Sequence, residues 1–317
     1  MKSIFLATAV SLIALVLITN SSAEEKKKLS ERAREFKEVY HTPEAIDAKL
    51  KDWSDKEPQN PEPYIMAANA YGYLATSINI SKVEPNREIG IAKHDGGFAI
   101  LDPKTQQQIG TIGEDKNIAM LQKAGAILAT ASAKFPQRLD IFVGCMSLAE
   151  NAEDTAALLA AGLDMLKAAQ SQPDKMKWID DHPLPEPLHD KIVHELQGRI
   201  KDLFKKENDE ADKAGYKLAT EALRLAPDNV ELLNDAAVYH CYKNEWQKAR
   251  EFLVRAEKAD PKDLLVKLNL AKADLNLVQP EAARRKWEEV IKLAPNSDEA
   301  NDARQEISKL AKKPDKK

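Results

Sequence analysis

Three phrases of equal length decide the fold: GYKLATEALRLAP (215–227), AREFLVRAEKADP (249–261) and ARRKWEEVIKLAP (283–295). Each opens on a small residue (Gly215, Ala249, Ala283), carries a second compact one seven positions on (Ala222, Ala256, Val290), and closes on proline. Residues seven apart share one helical face, so a compact pair lets a neighbouring helix approach closely, and the proline stops the helix that carries them. Pro227, Pro261 and Pro295 fall 34 residues apart each time. A fixed period of this length marks a solenoid of antiparallel helix pairs, none of which can bury its apolar face alone.

Working outward, each phrase needs a first helix before it. The periodicity predicts these over residues 188–205, 230–242 and 264–277, with second helices over 209–225, 245–259 and 280–293. Further back, Pro63-Tyr64-Ile65-Met66-Ala67-Ala68-Asn69-Ala70-Tyr71 puts Tyr64, Ala67, Ala68 and Tyr71 on one face. Its second helix does not follow at once. Ala124, Ala131 and Pro136 restore the rhythm over 118–135, which makes the intervening residues, about 78–115, an insertion. There the period changes. Phe98-Ala99-Ile100-Leu101, Asp102-Pro103-Lys104-Thr105 and Gln107-Gln108-Ile109-Gly110-Thr111-Ile112 read as a β-hairpin with a proline turn, and 89–93 offers a third strand. A helix pair over 139–148 and 155–169 comes next, then a loop over 171–187 whose Pro173, Pro183, Pro185 and Pro187 exclude regular helix. Near the start, Leu29, Ala33, Phe36 and Val39 and then 43–53 suggest a degenerate first pair, and 296–310 reads as a capping helix.

The phrase resembles the tetratricopeptide repeat, most firmly over 215–295 and 58–71. The resemblance implies an all-α, right-handed superhelix of about six helix pairs plus a cap, spanning 24–295 with 296–317 as cap and tail, and interrupted by the small β-hairpin. In that family the first helices line a concave groove that takes peptides or partner helices. The resemblance implies a groove of Ile65, Met66, Asn69, Gly72 and Tyr73, then Asn234, Asp235, Val238 and Tyr242, then Leu268, Asn269, Lys272 and Asn276. A side-chain amide can pair with both the N–H and the C=O of a bound backbone. The clamp for a terminal carboxylate that some relatives carry is incomplete here, since Val238 replaces a polar contact and Lys272 alone offers charge.

Residues 1–23 form a separate object. Lys2, an apolar run over 4–18 and Ser21-Ser22-Ala23 read as an export leader cleaved after Ala23, which predicts a periplasmic or secreted protein of the bacterial tetratricopeptide type with no membrane span left after cleavage. Net charge is −4, without the basic stripe that nucleic acid requires. Cys145 and Cys241 fall on non-adjacent repeats, which predicts two thiols rather than a bridge.

No nucleophile, acid pair or cofactor motif stands out, so no catalytic residue and no cofactor is expected. His182, His189 and His194 gather with acidic residues, but His189 and His194 are five apart, whereas ligands on one helical face want three or four. His94-Asp95-Gly96-Gly97 lacks the following helix that makes a phosphate loop work and reads as a turn. Trp178, in the proline-rich loop, is either tucked against the helices or an accessory contact. The leading expectation is an exported, non-catalytic adaptor for a protein or peptide. The alternatives are a cell-wall glycan or small-ligand module using the hairpin and Trp178, and a metal-dependent enzyme built on the inserts.

Overall fold

The structure, a computed structural model, describes residues 42–81, 90–94 and 97–311. The expected leader, the helix expected over 29–39, the tail 312–317 and Asp95-Gly96 of the turn motif lie outside the described residues. The chain divides into two units, Met1–Asp154 with Ile179–Asp181, and Thr155–Trp178 with His182–Lys317.

The first unit contains α1 (Pro43–Lys56), α2 (Glu62–Ala75), a sheet, α3 (Ile118–Lys134) and α4 (Leu139–Asn151). Thr42 Oγ1 accepts from Ala45 N–H at 3.3 Å, and Pro43 sits in the first turn, where its missing N–H costs nothing. α2 buries Tyr64, Ala67, Ala68 and Tyr71, and α3, which packs along it, buries Leu121, Ala124, Leu128 and Ala131. These two helices are therefore the interrupted pair. β1 (Thr76–Ser81) follows α2 without a break, and β4 (Gln108–Lys116) stops one residue short of α3. They run antiparallel with Thr76 opposite Lys116, and Asn117 N–H donates to the Ala75 carbonyl at 2.7 Å, so the insertion leaves and returns at one point.

With β2 (Gly90–His94) and β3 (Gly97–Leu101), the insertion is a four-stranded antiparallel sheet of order β1-β4-β3-β2. The hairpin read from the sequence is its β3–β4 pair, and the residues offered as a third strand are β2. Asp102 carboxylate makes the turn by accepting from Lys104 N–H (2.9 Å) and Thr105 N–H (3.0 Å). β1 was not expected. Coming straight after an alanine-rich apolar helix, Thr76-Ser77-Ile78 reads as that helix's own end.

The second unit contains α5 (Thr155–Ser171), α6 (Leu188–Lys205), α7 (Asp209–Ala222), α8 (Val230–Tyr242), α9 (Trp246–Ala259), α10 (Leu264–Asn276), α11 (Pro280–Leu293) and α12 (Asp298–Ala311). Gly215, Ala222, Ala249, Ala256, Ala283 and Val290 are all buried. Gly215 packs closely on α6: a Cβ there would lie 3.2 Å from Phe204 Cζ, so an alanine would require that ring to give by a few tenths of an ångström. α6 packs with α7, α8 with α9 and α10 with α11, and the first helices α6, α8 and α10 also touch in succession. Asn208, Asn229 and Asp263 cap the N-termini of α7, α8 and α10 through side-chain oxygens. α12 covers the end, setting Ala303, Ile307 and Leu310 against Ala283, Trp287 and Val290. These are helix pairs of the tetratricopeptide type.

The helices of one expected pair fall in different units. α4 packs on α3 in the first unit, while α5 turns its stripe of Leu158, Met165, Leu166 and Ala169 to the second unit, where it packs on α7 and α6.

Candidate binding groove

In the second unit α8 and α10 are joined across the first-helix face by their amides. Asn269 Nδ2 donates to Asn234 Oδ1 at 2.7 Å. Asn234 is buried at 9% exposure and Asn269 is half-buried. The bond leaves Asn234 Nδ2 as a donor and Asn269 Oδ1 as an acceptor with no protein partner among the described residues. Tyr242 is 53% exposed while its ring meets Phe204 edge-on at 6.0 Å, and Leu265 on α10 is 55% exposed. Leu265 was not expected at the site: its apolar character alone does not separate it from the core leucines beside it. Lys272 is exposed, and Asn276 spends an amide hydrogen on the Lys272 carbonyl at 2.8 Å.

Met66 and Asn69 are half-buried on α2 in the first unit, and Tyr73 is 68% exposed there. The expected groove residues thus fall into two sets, and in the second the structure bonds Asn234 directly to Asn269.

Buried charges nearby are mostly satisfied. Lys267, 4% exposed, bonds Glu257 at 2.7 Å and also meets Glu289; burial alone would lower its pKa, but those carboxylates outweigh it and hold the ammonium above its ordinary value. Asp274 accepts from Arg250 Nε at 2.6 Å. In the first unit, Arg138 is 2% exposed and held by both carboxylate oxygens of Asp140 at 2.9 Å. Asp235, on α8, has no cation hydrogen-bonded to it. It is 4% exposed, its Oδ2, like Asp212 Oδ1 and Asp274 Oδ2, has no partner, and burial pushes its carboxyl up to about 7, with Lys201 opposing and Glu231 adding.

His240, at 5% exposure, is fixed by Glu245 Oε2 at 2.6 Å from Nδ1 and by the Tyr216 hydroxyl at 3.3 Å from Nε2, inside a cluster in which Tyr216 and Tyr239 stack at 4.3 Å. That is a packing role. Trp178 is half-buried, with Lys191 Nζ 4.3 Å from its ring centre, so one face of the ring is already taken. His189 pairs with Asp190 at 3.1 Å, and among the described residues no group of three His, Cys, Asp or Glu side chains could hold a metal ion. Cys145 is buried and Cys241 half-buried; both are thiols. No helix among the described residues is long and apolar enough to cross a membrane.

No family model and no curated protein matches the chain. Solved tetratricopeptide structures do align with it. YrrB, described as "a TPR protein with an unusual peptide-binding site", is 12% identical over 81% of this chain and 97% of its own, with a TM-score of 0.41. The first TPR domain of human RPAP3 is 22% identical over 39% and 94%, at 0.34. MamA from Desulfovibrio magneticus RS-1 is 12% identical over 56% and 88%, at 0.36. The fold assignment rests on the packing rhythm described above rather than on these scores.

Proposed function

We propose that the chain is an adaptor that holds an extended segment of a partner protein on the first-helix face of its second unit and does no chemistry of its own. The observation that carries this is the Asn234–Asn269 bridge, which offers one donor and one acceptor side by side. An extended backbone presents the matching carbonyl and N–H. Exposed Leu265, one turn before Asn269, and Tyr242, at the far end of α8, supply apolar and aromatic surface on the same two helices. Export belongs to the same proposal, on the strength of Lys2, the apolar run and Ser21-Ser22-Ala23.

Crosslinking and co-purification from envelope extracts, with native chain and an Asn234→Ala/Asn269→Ala double variant compared, tests the adaptor reading. A protein recovered with the native chain and lost with the variant supports it. Recovery of nothing, or equal recovery with both, sinks it. N-terminal sequencing of the mature protein tests export separately, with Glu24 expected as the first residue.

A further inference from the structure

α6 carries a glycine, Gly198, in its interior. Only proline weakens a helix interior more, so a glycine there calls for a reason. Close packing is not the reason: a Cβ built on Gly198 would meet no atom within 4 Å, and the residue is exposed. Counted back from the left-handed turns, Gly198 stands nine residues before Glu207, as Asp235 stands before Asn244 and Asn269 before Val278. Where α8 and α10 carry a polar side chain at this place, α6 carries none, and a cavity of about 470 Å³ opens over it. Its lining includes Val193 and Gly198, Asp190 and His194 from the same helix, Glu186 just before α6, and Asn229, which caps α8.

Gly198 and Val193 give the cavity a wall of backbone and hydrocarbon, and its polar groups stand around that wall. The carboxylates are not bare. Glu186 lies 3.8 Å from Lys191 Nζ and from His194 Nδ1, and Asp190 lies 3.1 Å from His189 Nε2. A further full cation therefore gains little here, whereas each carboxylate keeps lone pairs for a neutral donor. A purely aliphatic side chain would cover the wall and strip water from those oxygens without replacing it. The side chain that answers both needs is a planar ring with a polar hydrogen at its far edge. We propose that this cavity is a side-chain pocket of the groove and takes a tyrosine of the bound segment, the ring lying over the Gly198 backbone and the hydroxyl donating to Glu186 or Asp190. This rests on the groove reading above and adds a residue preference to it. Neighbouring first helices lie about 8–10 Å apart, about three residues of extended chain, so the tyrosine falls about three positions from the residue held by Asn234 and Asn269.

The test uses the full chain and four degenerate nonapeptide pools that differ only in a fixed central residue, tyrosine, phenylalanine, leucine or arginine, followed by fluorescence anisotropy. The tyrosine pool is expected to bind roughly tenfold more tightly than the leucine pool, with phenylalanine between them. Gly198→Leu puts a side chain into open space and a better helix former into α6, so the melting temperature should hold or rise while the tyrosine pool drops to the leucine level. Equal binding of tyrosine and leucine, tightest binding of arginine, a tyrosine preference that survives Gly198→Leu, or a fall in melting temperature for that variant overturns the pocket while leaving the groove standing. Phenylalanine bound as tightly as tyrosine overturns the assignment of the hydroxyl to a carboxylate. Failure of every pool to bind overturns both readings.

Discussion

The two first-helix junctions of the second unit share a repeat and differ in the side chains that hold the corresponding places. Between α8 and α10, Asn234 meets Asn269 and both amides are partly satisfied; between α6 and α8, the corresponding places relative to the left-handed turns at Glu207 and Asn244 belong to Gln197 and Asp235, whose Nε2 and Oδ2 are buried without a hydrogen bond. The comparison separates what the repeat needs from what the groove needs. Helix packing is set by small residues such as Gly215, Ala249 and Ala283 on the second helices, so the inward face of the first helices can change without cost to the stacking. One junction then bonds across itself, and the other leaves a buried donor and a buried acceptor unbonded.

The largest expected effect comes from opening the core beneath the first junction. Ile200 is fully buried, so Ile200→Ala should cost about 3 kcal/mol, read by urea denaturation.

Next in size is the pH dependence. Asp235 ionises near 3.8 ordinarily and at about 7 in the folded chain, so between these values the folded state binds more protons than the unfolded one. Stability should therefore fall as pH rises through that window and level off above it. Asp235→Asn should remove the slope, gaining about 2 kcal/mol at high pH and almost nothing at the acid end of the window. Thermal melts across the range check this. Breaking the satisfied junction is smaller: Asn269→Ala leaves Asn234 Oδ1 unpaired and should cost about 1 kcal/mol with no new pH dependence.

The smallest contrast sits at the turns. Asn244 and Val278 occupy equivalent places between the helices of their pairs, with φ of 55° and 59°. Asparagine tolerates this left-handed backbone, whereas a β-branched residue is strained there. Val278→Gly should stabilise by about 1 kcal/mol and Asn244→Gly by a few tenths at most, measurable as a difference in melting temperature. Val278 is 86% exposed, so no lost packing offsets the gain.

The repeat itself was legible because its signal is redundant: small residues seven apart and a proline each 34 residues survive any single substitution. The α2–α3 pair could be read across its interruption for the same reason. Strand β1 could not, since its residues follow an apolar helix with no glycine or proline to mark the change. The assignment of α5 to the second unit was hidden too, because an amphipathic stripe says that a helix buries one face and not which neighbour covers it. At the groove, the resemblance pointed to Asn234, Asn269, Lys272 and Asn276, but not to which amide is spent internally, and Asn276 turns out to bond its own helix. The orphaned state of Asp235 was not legible, because α6 ends at Lys205 and α8 at Tyr242, a longer step than the 34 residues from there to Asn276, and the repeat period alone therefore misplaces its neighbour on α6.

The base of the inserted sheet has a practical meaning. Because the Ala75 carbonyl and the Asn117 N–H are already bonded, the chain between them behaves as a detachable cassette: both ends sit at the spacing that a tight helical turn would span. Removing it and closing the gap with a few residues would give back an ordinary uninterrupted hairpin of helices. By the same logic, a foreign domain whose termini lie close together could be grafted there without disturbing the register of α2 on α3.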